Sequence, residues 1–182
     1  MATHATALLH SPGRLDRILR FTLLGLILAF LFVASEAFRE NIVDVGDRAP
    51  DFTIRTDDGR TITPRNFGGR LLVLNFWATW CPPCIEELPS LNALAATMRD
   101  RGVVVLAISV DTDEKAYSSF IRRVRPAFLT ARDPTAEIPA RFGTFKWPET
   151  YVIDTQGKVV QKHIGPRDWL DPAIVNSLRA LL

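Results

Sequence analysis

The chain is 182 residues long, enough for one domain that buries its own core. Hydrophobic residues make up 47% and charged residues 23%, which excludes a disordered chain and a multispanning membrane protein. The net charge of +2 is reached within residues 1–20, through Arg14, Arg17 and Arg20 against Asp16, so the balanced body carries no electrostatic footprint for nucleic acid.

Residues 1–20 read as a polar, basic leader. Phe21 to Val33 then runs FTLLGLILAFLFV, and the stretch stays uncharged to Ser35. As a helix, residues 21–35 reach about 22 Å, short of a hydrocarbon core of about 30 Å. Ile18 and Leu19 lengthen the span if Arg20 snorkels to the headgroups. Two readings stay open: an uncleaved anchor, and a signal peptide cut near Val33-Ala34-Ser35. The long leader and the missing Ala-x-Ala form favour the anchor. In both, the arginines ahead of the apolar run put the N-terminus in the cytoplasm and the body outside. No cysteine follows the segment to carry a lipid. Residues 36–45 read as a polar linker, and residues 46–182 as the folded domain.

Within the domain, Asp51 to Thr63 reads as a hairpin around an Asp58-Gly59 turn. Leu71-Leu-Val-Leu-Asn-Phe-Trp77 is a continuous apolar run, the pattern of a strand covered on both faces. Ile85 to Arg101 follows as a helix, with Leu88, Leu91, Leu94 and Ala95 at three-and-four spacing and Gly102 as its stop. Val103 to Val110 is a second buried strand. Asp111 with Glu114 resembles a capping box for a helix to Arg123. A short strand at Phe128–Thr130, a short helix at Ala136–Phe142 and a hairpin from Thr150 to Ile164 come next. Asp171 before Pro172 opens a final helix to Leu182. Strands alternating with helices, with a hairpin near each end, call for an α/β fold with a mixed sheet.

The chemistry concentrates at Trp80-Cys81-Pro82-Pro83-Cys84, between a buried strand and a helix. These are the chain's two cysteines, which excludes a multi-disulfide scaffold; His163 is the one histidine of the body, so two cysteines and two histidines cannot assemble a zinc site there. At the first turn of a helix, free N–H groups and the positive dipole end favour a thiolate on Cys81 and lower its pKa. Cys84, one turn inside, is then the resolving thiol. Pro82 and Pro83 give up no needed N–H and fix φ for a helix start. A structural disulfide, half of a zinc site and a peroxidase cysteine are the competing readings. Covalent haem attachment needs a histidine after the second cysteine, where Ile85 stands. A peroxidase needs Thr or Ser three residues before its cysteine and Pro four residues earlier, where Ala78 and Leu74 stand.

Asn75-Phe-Trp-Ala-Thr-Trp-Cys-Pro-Pro-Cys84, with Glu87 and Pro89 beyond it, resembles the TlpA/ResA group of exported, membrane-anchored thioredoxin-like proteins. Gly46-Asp-Arg-Ala-Pro-Asp-Phe52 is similar to the opening of the wider redoxin superfamily, and Pro148-Glu-Thr-Tyr-Val-Ile-Asp154 to the group's segment around a cis proline facing the active site. The resemblance implies a thioredoxin fold with an added N-terminal hairpin and a central insertion. It implies thiol–disulfide exchange through a redox-active Cys81–Cys84 pair, with no bound cofactor and no metal. Trp80, Pro82, Pro83, Trp147 and Pro148 would then border the groove that receives the substrate. Two departures stand out. Thioredoxin itself carries a buried aspartate where this chain has Asn75, and many relatives carry a glycine two residues before the cis proline, where this chain has Lys146. With the aspartate missing, Glu87 matches the acid of the group and is the candidate base for Cys84.

The implied protein is a membrane-tethered disulfide reductase acting on disulfide-bearing exported proteins, with apocytochrome c or copper-site assembly proteins as the group's usual substrates. It would be recharged by a membrane electron donor. An oxidase, a non-catalytic binding or metallochaperone-docking module, and a thiol peroxidase are the alternatives.

Overall fold

The computed structural model describes residues 13–37 and 42–182; the rest of the expected leader and linker lies outside the described residues. Two compact units divide near Glu40. The first holds α1 (Arg14–Ala37), whose 24 residues make it longer than the apolar run alone. Arg14 to Arg20 join the helix, with Leu15, Ile18 and Leu19 continuing the apolar surface. Residues Arg14–Ala34 are long and apolar enough to cross a membrane.

The second unit contains β1 (Ile54–Arg55), β2 (Thr61–Ile62), β3 (Leu71–Trp77), α2 (Pro82–Met98), β4 (Val103–Ser109), α3 (Glu114–Val124), β5 (Leu129–Arg132), α4 (Glu137–Arg141), β6 (Glu149–Asp154), β7 (Val159–Ile164) and α5 (Pro172–Ala180). The main sheet has the order β5-β4-β3-β6-β7, with β3 parallel to β4, β4 parallel to β5, and β6 antiparallel to both its neighbours. The strand β1 pairs with β2 as the separate N-terminal hairpin, and β5 with α4 forms the central insertion between α3 and β6. This is the thioredoxin-like architecture that the sequence implies.

All seven residues of β3 are buried, and their alternation divides the core into two sides. Leu72, Leu74 and Phe76 meet the hairpin, through Ile54 and Ile62, and the insertion, through Ile138 and Phe142. Leu71 and Val73 meet α2 and α5, through Leu91, Leu94, Met98 and Leu178, while Trp77 joins Cys84, Leu88 and Tyr117. The same alternation sends Asn75 toward α2, where it becomes part of the site.

Three expectations need correction. Packing of the domain begins at Val43 rather than Gly46: Val43 is 7% exposed, its N–H donates to Phe142 O (3.1 Å), and its carbonyl accepts from Lys162 Nζ (2.8 Å). The helix after the cysteines starts at Pro82, three residues before Ile85, and runs through Pro89 to Met98 before a 3-10 turn at Arg99–Arg101. Gly102 stops it, at φ 91°. The cap of α3 is Asp113 rather than Asp111, with its carboxylate accepting from Lys115 N and Ala116 N. Asp111 is buried and bonded elsewhere, which removes it from any capping role.

Candidate active site

The helix α2 builds the site from its first turn. Cys81 is the N-cap, extended at φ −100° and ψ 101°, and its Sγ accepts the Cys84 N–H at 3.3 Å. Pro82 and Pro83 occupy the first helical positions, where their missing N–H groups cost no hydrogen bond. The two sulfurs form a disulfide, with the Cα atoms 5.3 Å apart. Both cysteines are buried, Cys84 fully and Cys81 with 5% exposure, so Cys81 is the more accessible of the two. Trp80 beside it is 61% exposed. The loop from Ala78 to Trp80 is held by the buried Asp111, whose carboxylate accepts from Thr79 N (2.9 Å), Thr79 Oγ1 (2.6 Å) and Ser109 Oγ.

Pro148 follows a cis Trp147–Pro148 bond and is buried. Trp147 is half-buried and packs against the cluster that contains Cys81 and Cys84. Lys146 is exposed, with its Nζ 5.9 Å from the Phe145 ring centre. Pro82 is exposed and Pro83 half-buried. The cis-proline segment is fixed on its far side, where Gly165 N donates to Pro148 O at 2.9 Å.

Glu87, one turn beyond Cys84, is 3% exposed. Oε1 accepts from Asn75 Nδ2 at 2.8 Å, and Oε2 accepts from Arg167 N at 3.1 Å and Trp169 Nε1 at 3.3 Å. Burial pushes its pKa above the ordinary carboxylate value, opposed by those three hydrogen bonds and by the Arg167 charge. Glu86, its sequence neighbour, is exposed. Asn75 stands opposite Thr150 across β3 and β6, and its Nδ2 also donates to Thr150 Oγ1 at 2.9 Å, while its Oδ1 is buried without a partner. The acid of this site therefore comes from α2, and the strand position that is aspartate in thioredoxin supplies a hydrogen-bond donor to it.

A second buried polar group lies next to the cis proline. Glu149 Oε1 is 3.2 Å from Lys162 Nζ and accepts from Tyr151 Oη at 2.9 Å. Sequence reading missed this pair, and it also missed Asn75, Arg167 and Trp169 as partners of Glu87. Their signals are lone polar or aromatic residues 12 to 82 positions from the residues they serve, with no spacing to find them by. Among the described residues, no group of three or more His, Cys, Asp and Glu side chains converges to hold a metal ion.

Chemically, a disulfide-forming pair at the head of α2, with a buried carboxyl of raised pKa one turn further along the helix, is a centre suited to thiol–disulfide exchange. Comparison with known proteins agrees. Residues 45–162 match the AhpC/TSA family. The chain is similar to the thiol-disulfide oxidoreductase ResA of Bacillus cereus, at 30% identity over 148 residues, covering 81% of this chain and 86% of that protein. It is similar to ResA of Bacillus thuringiensis subsp. konkukian at 33% identity, covering 68% and 72%. Among solved structures, a candidate thiol:disulfide interchange protein DsbE from Chlorobium tepidum superposes with a TM-score of 0.69 at 31% identity, covering 76% of this chain and 98% of that one.

Proposed function

We propose, for a chain that belongs to the AhpC/TSA family and is a thiol–disulfide oxidoreductase, the finer role of a membrane-tethered reductase of exported proteins. The observation that carries this reading is the Cys81–Cys84 disulfide at the head of α2, with Cys81 the more accessible of the pair and the buried carboxyl of Glu87 one turn beyond Cys84. In the reduced enzyme the Cys81 thiolate attacks one sulfur of a partner's disulfide. The partner's other sulfur leaves as a thiolate and takes a proton, and a mixed disulfide remains. Glu87 removes the proton from Cys84, whose thiolate attacks Cys81 Sγ, closes the Cys81–Cys84 disulfide and releases the second partner thiol. Two electrons pass to the partner, and a donor dithiol must return them. Trp80, Pro82, Pro83, Trp147 and Pro148 form the surface against which the partner's strand lies.

The reducing direction is supported by the surroundings of the sulfurs. A dithiol becomes a strong oxidant when its thiolate form is specially stabilised. Here Cys81 Sγ receives one backbone N–H, and the titratable group behind the pair is an acid. Ala78 and Leu74, where a peroxide-binding pattern has Thr or Ser and Pro, support exchange over peroxide turnover. The helix α1 supports a tether, and the arginines ahead of its apolar run support an outward-facing domain. In this organisation residues 1–20 are cytoplasmic, 21–35 the anchor, 36–42 the linker and 43–182 the working domain. Substrates in the maturation of cytochrome c or of oxidase copper sites, and a membrane electron donor, fit the same reading. The test is Cys84→Ser in the native cells: it should accumulate a mixed disulfide between Cys81 and an exported cysteine protein. Capture of none, with wild-type expression, overturns the assignment.

A further inference from the structure

Groups that the exchange does not yet use lie in the turn between β7 and α5. Gly165 to Trp169 lies past residue 162, where the family match ends. This short turn touches both halves of the site. Gly165 N donates to Pro148 O at 2.9 Å, Arg167 N and Trp169 Nε1 both donate to Glu87 Oε2, and Trp169 N donates to Ser90 Oγ at 3.1 Å. Ser90 lies three residues beyond Glu87 on α2, and its hydroxyl reaches Glu87 O (2.9 Å) and Arg167 O (3.3 Å). Trp169 is fully buried, so its indole N–H has no access to water and its contact with Glu87 accounts for it.

We propose that the Gly165–Trp169 turn is a clamp that orients the Glu87 carboxylate toward Cys84, with Trp169 as its positioning residue. The inference rests on Glu87 being the base for Cys84. Two donors on Oε2 fix that oxygen, and Asn75 alone holds Oε1. Both elements of the clamp favour the ionised form, because an N–H bond to a carboxylate oxygen is stronger than one to a neutral carboxyl. The proton taken from the Cys84 thiol then leaves through the cleft of about 350 Å³ that opens beside Glu87, between Glu86, Pro89 and Ser90 on α2 and Pro166 to Asp168 on the turn. The charged and titratable groups facing Glu87 are Arg167 and Asp168 from the turn, Glu86 from its own helix, and His163 from β7 behind the Trp169 ring. The His163 ring lies edge-on at 5.3 Å, and burial and Arg167 hold its pKa below the usual imidazole value.

The experiment uses the reduced full-length protein and an aromatic disulfide whose released thiol is coloured. The first release reports attack by Cys81 and the second reports resolution by Cys84. Trp169→Phe keeps a ring in the core and removes the N–H. The expected result is an unchanged first release and a slower second release at neutral pH. The midpoint of the second phase should move upward by about one pH unit, because a donor to the charged form has been lost. In a Glu87→Gln background the same substitution should add nothing, since it acts through Glu87. Equal slowing of the second phase in both backgrounds, or an unmoved midpoint, overturns the clamp. If Trp169→Phe fails to fold, a benzothiophene analogue of tryptophan at position 169 keeps the shape without the N–H and is read the same way. If Glu87→Gln itself shows the wild-type profile, the role of Glu87 falls; if it changes the profile while the 169 variants do not, only the clamp falls.

Discussion

Cys81 and Cys84 sit three residues apart and meet different surroundings. Cys81 ends the loop and keeps an edge to solvent, while Cys84 lies within the helix and is covered on all sides. In the reduced protein Cys81 should therefore alkylate faster than Cys84, read by mass mapping after a short pulse of reagent, and equal labelling would contradict the assignment of attacker and resolver. Glu87 gives a second prediction. Because burial raises its pKa, the carboxyl stays protonated to a higher pH than a surface glutamate, so resolution should speed up as pH rises through that raised value. Glu87→Gln should remove this dependence and slow resolution, and Glu86→Gln, on the exposed side of the helix, should leave it in place. Matching pH–rate profiles for Glu87→Gln and wild type would make Glu87 a structural group. The cysteine pair was legible because local spacing at the head of one helix encodes it. Spacing left Glu86 and Glu87 both open, the resemblance singled out Glu87, and the fold buries Glu87 while Glu86 stays exposed. Asn75, Arg167 and Trp169 were not legible, because only the strand pairing and the return of the chain after β7 bring them to the carboxyl.

Among the elements, the capping of α3 shows where local pattern reading stops. An aspartate three residues before Glu114 and another directly before it offer the same carboxylate, and the choice is made elsewhere in the fold. Asp111 is consumed by Thr79 and Ser109, which leaves Asp113 to close the helix. Asp113→Ala should lower stability by about 1 kcal/mol in urea unfolding, with disulfide exchange unchanged. Asp111→Ala should cost more, roughly 2–3 kcal/mol, because it strands the Thr79 N–H and two hydroxyls. It should also slow attack by Cys81, since it frees the loop that carries Trp80. Equal and small losses from both would place the cap and the loop anchor wrongly. The strands β3 and β7 were readable to their ends: β3 is apolar at nearly every position, and β7 follows a Gly157 turn. The start of α2 had two readings, Ile85 from the apolar spacing and Pro82 from the prolines' fit to a first turn, and the cap at Cys81 decides for Pro82.

For the whole molecule, the fold follows from an apolar strand on each side of the cysteine helix and hairpins at both ends, and the sheet order confirms the arrangement. The start at Val43 was invisible because Ile42-Val43-Asp44-Val45 is too short a run to show a period; its bonds to Phe142 and Lys162 reveal it. The helix α1 predicts that the full-length protein sediments with membranes and resists carbonate extraction; a soluble species beginning near Glu36 would show cleavage instead. A reductase and an oxidase differ in the direction of electron flow through Cys81 and Cys84. The most direct test is the reduction potential of the Cys81–Cys84 couple, obtained by equilibrating the protein against glutathione or dithiothreitol buffers and trapping free thiols. A reductase should lie on the thioredoxin side, below about −200 mV and toward about −270 mV, whereas a value near −120 mV, that of a strong oxidant, would contradict it.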